Sequence, residues 1–283
     1  MSDTWSVEKL HANLRLALKN EETLFDSATD HQRLVLFRNA RFGRVLTLDS
    51  IVQTTEADEF IYHEMLTHVP MLAHGAVKSA LIVGGGDGGM AEELLKHGGL
   101  EHLRMVEIDE AVIDFSRQYL SSICQDAFED PRLKVHIGDG ADFVATTEES
   151  FDVIIVDSTD PIGPGEALFT KDFYSNCKAR LKPGGILVTQ NGVPFLQSDE
   201  LVNTTKALRP MFRDVASYIA TVPTYVGGPM AFGWATDDES LRQVPVKTLE
   251  QRFSALDIKT RYYTPHVHKG AFALPPYISD LIA

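Results

Sequence analysis

The hydrophobic pattern divides the chain into two textures. Between residues 22 and 54, short runs rich in β-forming residues recur at close spacing: TLFDSA (23–28), QRLVLF (32–37), GRVLTL (43–48) and IVQTT (51–55). Turn-forming residues separate them at 39–43 and at Asp49-Ser50, so the segment is predicted to be a small antiparallel sheet. Residues 59–72 carry Phe60, Met65, Leu66 and Val69 at roughly helical spacing, which predicts a helix.

From residue 79 the period changes. SALIVG (79–84), LRMVEI (103–108), LKVHIG (133–138), FDVIIVD (151–157) and GGILVTQ (184–190) are apolar runs separated by helical stretches such as MAEELLKH (90–97) and EAVIDFSRQYL (110–120). Runs of four or five apolar residues suit strands buried on both faces of a parallel sheet. DVASYIATV (214–222) and MAFGWAT (230–236) predict two more strands, closing the sheet as an antiparallel pair. The expected organisation is a β-domain over residues 1–58 followed by an α/β domain over 59–283.

At 283 residues the chain can bury a large core. Its net charge of −14 repels nucleic acid and anionic membrane, and suits a cationic ligand better. The two cysteines, Cys124 and Cys177, make neither a disulfide framework nor a metal knuckle and fit a reducing compartment. The first residues show no positive segment followed by an apolar run. No stretch approaches the roughly 18 apolar residues of a membrane span, so a cytoplasmic location is expected.

The first strand of the α/β region ends in Gly84-Gly85-Gly86-Asp87-Gly88-Gly89, and Glu107 closes the second. Glycines here let the backbone turn tightly and approach a ligand, and a carboxylate at the tip of the second strand can accept bonds from ribose hydroxyls. Asp87 narrows the choice of nucleoside. A carboxylate inside the loop would repel a pyrophosphate but attract a sulfonium centre, which favours an S-adenosyl compound over a dinucleotide. Asp139-Gly140, after the third strand, fits a further contact to the adenine, and is otherwise a turn.

The fourth strand runs into Asp157-Ser158-Thr159-Asp160-Pro161-Ile162-Gly163-Pro164. Ligands in open α/β sheets sit beyond the carboxyl ends of the strands, so Asp87, Asp157 and Asp160 should surround one cavity. Facing carboxylates are costly without a cation. A divalent metal or a protonated amine could supply it. The amine is favoured, because neither closely spaced oxygen ligands nor a companion histidine is evident along the chain. His266 and His268, lacking acidic or thiol companions, are expected at the surface. Pro161 and Pro164 would stiffen the segment that follows the cluster.

Together the motifs GGGDGG, VEID, GDGADF and DSTDPIGPGE, with LDSIVQTTEADEFIYHE upstream, closely resemble the spermidine synthases of the polyamine aminopropyltransferase family. The likeness runs from about residue 22 to the FALP segment (272–275). It implies an α/β, Rossmann-like fold of the S-adenosylmethionine-dependent methyltransferase type with a small N-terminal antiparallel β-domain, in a cytosolic homodimer or homotetramer. It implies an enzyme that moves an aminopropyl group from decarboxylated S-adenosylmethionine, a co-substrate, to putrescine, with no cofactor and no metal. By position, Asp157 would be catalytic. Glu107 would hold the ribose and Asp139 with Gly140 the adenine. Gln32, Gln53 and Pro164 would complete the nucleoside pocket, and Asp87 would bind the donor's amine. His63 and Asp160 would hold the diamine with Asp157, and Tyr62 and Tyr225 would flank its reacting nitrogen.

Three rivals remain in view at this level. An amine N-methyltransferase using ordinary S-adenosylmethionine would bring a donor carboxylate toward Asp87 and Asp157. A non-catalytic polyamine-binding protein would not need Asp157 or Tyr62. A dinucleotide oxidoreductase would place a pyrophosphate on Asp87.

Overall fold

In the computed structural model, which describes residues 4–159, 161 and 163–283, the two textures of the sequence become two sheets joined by a buried helix. A short hairpin, β1 (Trp5–Val7) with β2 (Ala17–Lys19), precedes them. Three residues per strand are too few to show a period, and this hairpin is not apparent in the sequence. Then β3 (Glu22–Ala28), β4 (Arg33–Asn39), β5 (Gly43–Leu48) and β6 (Ile51–Thr55) form an antiparallel meander. The β5–β6 turn has Asp49 and Ser50 both at positive φ, 50° and 70°, as a two-residue hairpin demands to match strand twist. Asp49 also accepts a hydrogen bond from the Arg33 amide at 2.9 Å, tying this turn to β4.

Helix α1 (Glu59–His74) follows, capped by Gly75 at φ 76°, whose amide donates to the Met71 carbonyl at 2.9 Å. Every residue from 61 to 73 is buried. A helix covered on all sides shows little amphipathic periodicity, which is why the sequence located α1 without fixing which face is inward.

The large sheet runs in the order β12-β13-β11-β10-β7-β8-β9. Its strands are β7 (Ser79–Gly84), β8 (His102–Glu107), β9 (Leu133–Ile137), β10 (Phe151–Asp157), β11 (Leu181–Gln190), β12 (Asp214–Ala220) and β13 (Met230–Thr236). Strands β7 to β11 pair in parallel, and β13 is antiparallel to both neighbours. The crossovers carry α2 (Gly89–Leu95), α3 (Glu110–Tyr119), α4 (Ser121–Cys124), α5 (Gly140–Thr146), α6 (Lys171–Arg180) and α7 (Ser198–Leu208). Ala80 and Ile82 point into one core with α1 and α2, while Leu81 and Val83 point into a second core with α6 and α7. Burial on both faces explains the unbroken apolar runs. The N-terminal sheet docks through Leu34, Leu36 and Leu46 on Val112, Phe115, Leu120 and Ile123 of the α3–α4 region.

Strand β11 begins at Leu181, earlier than its apolar run suggests. Its polar opening is absorbed by a register shift opposite 151–153 and by Lys182, which donates to Ser79 Oγ at 2.7 Å and lies 3.2 Å from Asp152. The chain ends in α8 (Val246–Leu256), α9 (Pro265–Ala271) and α10 (Pro276–Ser279), which the sequence pattern did not announce. Glu64 of α1 accepts backbone bonds from Arg261, Tyr262 and Tyr263 at 2.7–2.8 Å, holding this tail on the core.

One expectation fails here. His266 is exposed, but His268 is 1% exposed and its Nδ1 lies 2.9 Å from the Tyr263 hydroxyl. Pro265, His268 and Ala271 share the inner face of α9, and burial lowers the His268 pKa to about 3, so it is a neutral core residue. Cys124 and Cys177 are both buried free thiols. Among the described residues no helix is long and apolar enough to cross a membrane.

Candidate active site

The chain leaves β7 outward to β8 and β9, then returns to place β10 on β7's other side. That reversal opens a crevice at the carboxyl ends of β7 and β10, the place where open α/β sheets bind ligands. Here it is roofed by the N-terminal sheet. The pocket is lined by Gln32, Gln53 and Thr54 from above, by Tyr62 and His63 from α1, and by 84–87, Glu107, Asp139, Gly140 and Asp157 from the large sheet.

Gly84 and Asp157 are register partners. Gly84 sits at φ 89°, and a Cβ there would collide with the Asp157 carbonyl. The glycine therefore lets the loop cross directly over the end of β10. Beyond it, Glu107 receives the Gly86 amide at 3.1 Å and the Asp109 amide at 3.0 Å. Burial outweighs those bonds and raises its pKa to about 7. Asp109 caps α3 through the Ala111 amide at 3.1 Å, and also accepts from Thr29 Oγ1 at 2.8 Å and Gln32 Nε2 at 3.3 Å. This one carboxylate ties the β3–β4 turn to the start of α3, two residues after Glu107. Asp139 caps α5, accepting from Ala141 at 2.7 Å and Asp142 at 3.3 Å. It lines the pocket while already holding a helix end.

The acidic part of the pocket is more tightly organised. The Tyr62 hydroxyl donates to Asp157 Oδ1 at 2.6 Å. Burial, and then the neighbouring Asp87 charge, push the Asp157 pKa up to about 6. Burial and the Asp157 charge also hold the Tyr62 hydroxyl well above its ordinary value, so it remains a proton donor in this bond. Asp87 goes the other way. Burial resists its charge, but His63, the Gly89 amide at 3.0 Å and Thr54 overcome that resistance and hold its carboxyl low. Two carboxylates in one pocket thus have their proton affinities driven apart, the pattern that separates a permanently charged group from a group that exchanges protons.

His63 was expected near a diamine, but its partners were not legible. Its Nδ1 lies 2.8 Å from Glu59 and its Nε2 lies 3.4 Å from Asp87. Burial disfavours the charged ring, yet the two carboxylates outweigh it and raise its pKa well above 6.5. The companion histidine that linear spacing failed to supply is therefore present. His63, Asp87 and Asp157 each offer one donor atom within 4.8 Å of one another. Both ring nitrogens of His63, however, face carboxylates, so to ligate a metal the ring would have to give up one of these contacts. Gly89 is the close neighbour that permits this placement, since a Cβ on it would overlap the His63 ring.

Tyr225 stands 6.1 Å from Tyr62, ring to ring, and its hydroxyl donates to the Gln53 carbonyl. The loop bearing it is anchored by Asp58, which was not singled out in the sequence. Asp58 accepts from Thr55 Oγ1 at 2.5 Å and from the Thr224 amide at 2.8 Å. Gln190, also unforeseen, lines the pocket and steadies Gly192, whose amide it accepts at 2.9 Å. An acid opening a helix at TTEADEF was the one signal for Asp58. Asp160 lies outside the described residues, and nothing is assigned to the Pro164 side chain. The structure thus gathers Gln32, Gln53, Tyr62, His63, Asp87, Glu107, Asp139, Gly140, Asp157 and Tyr225 around one cavity.

Comparison with known proteins gives the chain a family. Residues 59–245 match the spermine/spermidine synthase domain, and residues 4–56 match the spermidine synthase tetramerisation domain. The chain is 58% identical over 279 residues to a polyamine aminopropyltransferase of Ruegeria sp. (strain TM1040), covering 99% of this chain and 98% of the relative. It is 55% identical over 271 residues to that of Pseudomonas syringae pv. tomato, covering 96% and 95%. The fold superposes on a crystal structure of spermidine synthase in complex with the transition state analogue AdoDATO. The TM-score is 0.94 at 34% identity, covering 100% of this chain and 96% of that one. Spermidine synthase from Thermotoga maritima gives 0.91 at 33% identity, with 100% and 95% covered.

Fold and comparisons define a transferase built on a Rossmann-like, methyltransferase-type domain with a small β-domain at its N-terminus. The chain belongs to the spermine/spermidine synthase family of polyamine aminopropyltransferases.

Proposed function

We propose that the chain transfers the aminopropyl group of decarboxylated S-adenosylmethionine to putrescine, giving spermidine and 5′-methylthioadenosine. The observation that carries this reading is the pairing of a low-pKa Asp87 in the glycine loop with a raised-pKa Asp157 bonded to Tyr62. The first suits a fixed partner for cationic groups of the donor, the second a proton acceptor. An ordinary S-adenosylmethionine would bring its own carboxylate into this field, where like charge repels it. The doubly engaged His63 supports an organic cation rather than a metal as the missing charge.

In this reading Glu107 takes the ribose hydroxyls, Asp139 with Gly140 the adenine, and Gln32, Gln53 and Pro164 complete the nucleoside pocket. Asp87 binds the donor's amine. His63, Asp157 and Asp160 hold the acceptor, and Tyr62 and Tyr225 flank its reacting nitrogen. An alkylammonium with a pKa near 10 cannot attack until it loses a proton. Asp157 takes that proton, a contribution of roughly 10²–10⁴-fold. The freed lone pair then forms a C–N bond to the propyl carbon as the C–S bond breaks, and its electron pair neutralises the sulfonium. Because that sulfur is already an activated leaving group, alignment supplies much of the remaining acceleration, and the step itself needs neither metal nor redox cofactor. The match of residues 4–56 to a tetramerisation domain supports a homotetramer.

A panel of donors and acceptors followed by mass spectrometry tests the assignment. Addition of one aminopropyl group to putrescine is expected. Addition of a methyl group from ordinary S-adenosylmethionine would replace this reading with the N-methyltransferase one, and preference for a longer amine would revise the acceptor.

A further inference from the structure

We propose that Glu59 is a positioning residue for the transfer, holding His63 as an imidazolium bonded to Glu59 through one nitrogen and facing Asp87 with the other. The inference rests on the roles given above to Asp87 and Asp157. Glu59 opens α1 one turn before His63, and the two side chains are 13% and 4% exposed. Carboxylates are favoured in the first turn of a helix by the unpaired amides and dipole there, which suits a glutamate at this position. A neutral imidazole has one N–H and can serve one carboxylate only. With Glu59 at 2.8 Å from Nδ1 and Asp87 at 3.4 Å from Nε2, the ring that suits both carboxylates is the charged one, with an N–H on each nitrogen.

The chain of influence then runs Glu59, His63, Asp87, Asp157. His63 is the nearest cation to both aspartates and favours the ionised form of each. Asp157 faces Asp87, His63 and Tyr62. Asp87 faces His63, Asp157, Thr54, the Gly89 amide and Cys124. Glu59 itself faces His63 and, across on α2, Glu92, which already has Lys96 as its counter-ion at 2.8 Å and cannot replace Glu59. With a neutral amide at position 59 the ring needs only one proton. Asp87 then loses its cation, and Asp157, beside an uncompensated charge, holds its proton more tightly.

The test uses full-length Glu59→Gln and Glu59→Asp, each with and without His63→Gln. Side-chain ¹⁵N spectra report the His63 ring across pH, and the pH profile of kcat/KM for aminopropyl transfer to putrescine is measured in parallel. Glu59→Gln should let His63 titrate at lower pH than in the parent and move the acidic limb of the profile up by about one pH unit. Glu59→Asp should restore most of both, and in the His63→Gln background Glu59→Gln should no longer move the limb. An unchanged His63 titration, or a uniform loss of rate with the limb in place, overturns the proposal and leaves Glu59 a structural residue. Should the parent protein transfer no aminopropyl group at all, the functional reading fails, while the ¹⁵N titration still decides whether Glu59 sets the state of His63.

Discussion

The Tyr62 hydroxyl and the Asp157 carboxylate share a 2.6 Å hydrogen bond that joins a helix under the N-terminal sheet to the tip of a strand 95 residues later. That bond favours the ionised form of Asp157. Tyr62→Phe is therefore expected to lower kcat roughly tenfold and to shift the acidic limb of the rate profile upward, because a base deprived of its donor holds its proton longer. Steady-state rates across pH 5–9 check both effects.

Asp157→Asn should lower turnover by at least about 10²-fold with little change in donor affinity. Stability should move the other way. The folded-state pKa of about 6 lies above the ordinary 3.8, so the stability linked to this proton is present below pH 3.8 and lost as pH rises through 6. At neutral pH the buried charge is a burden of about 1–3 kcal/mol. The amide removes that burden and keeps an acceptor for Tyr62, so the melting temperature of the ligand-free variant should rise by a few degrees, at about 2–4 °C per kcal/mol. A lower melting temperature would show that the charge is better compensated than its surroundings suggest.

For the native enzyme, turnover should fall as pH drops through about 6, since Asp157 must be unprotonated to act as base. Donor binding should show a separate dependence. Burial gives Glu107 a pKa of about 7, and hydroxyl donors from a ribose favour its charged form. Affinity should rise with pH through that region and binding should release a fraction of a proton. Calorimetry in two buffers of different ionisation enthalpy measures the release directly.

His63→Ala is expected to raise the KM for putrescine more than the KM for the donor. An unchanged acceptor KM would remove His63 from the acceptor subsite.

Asp109→Ala should weaken donor binding about tenfold without altering the acceptor KM. Its carboxylate is the shared partner of Thr29, Gln32 and the Ala111 amide of α3, and removing one partner of buried hydrogen bonds costs about 1–3 kcal/mol. Equal effects on both substrates would point to a general loosening of the sheet junction instead.

Much of this was legible because parallel strands buried on two faces leave unbroken apolar runs. Phe151–Asp157 and Met230–Thr236 were read to their last residue. The glycine loop, Glu107 and Asp157 stood out for the same reason, sitting where such runs end. What stayed hidden depends on contacts between distant elements. Asp58 meets Thr224 across 166 positions, and no local period reports such a meeting. The pairing of His63 with Asp87 was hidden likewise, because α1 is buried all round and its sequence does not say which side chain points at the glycine loop. His268 looked like a solvent residue among PHVHKG, yet the inward face of a two-turn helix put it in the core.

Gly89 has no side chain because His63 occupies the space where one would begin. The last glycine of the loop is thus constrained from another helix, and the two positions are coupled through that contact. A library that randomises residue 89 alone should return glycine, whereas one that randomises 63 and 89 together should return pairs.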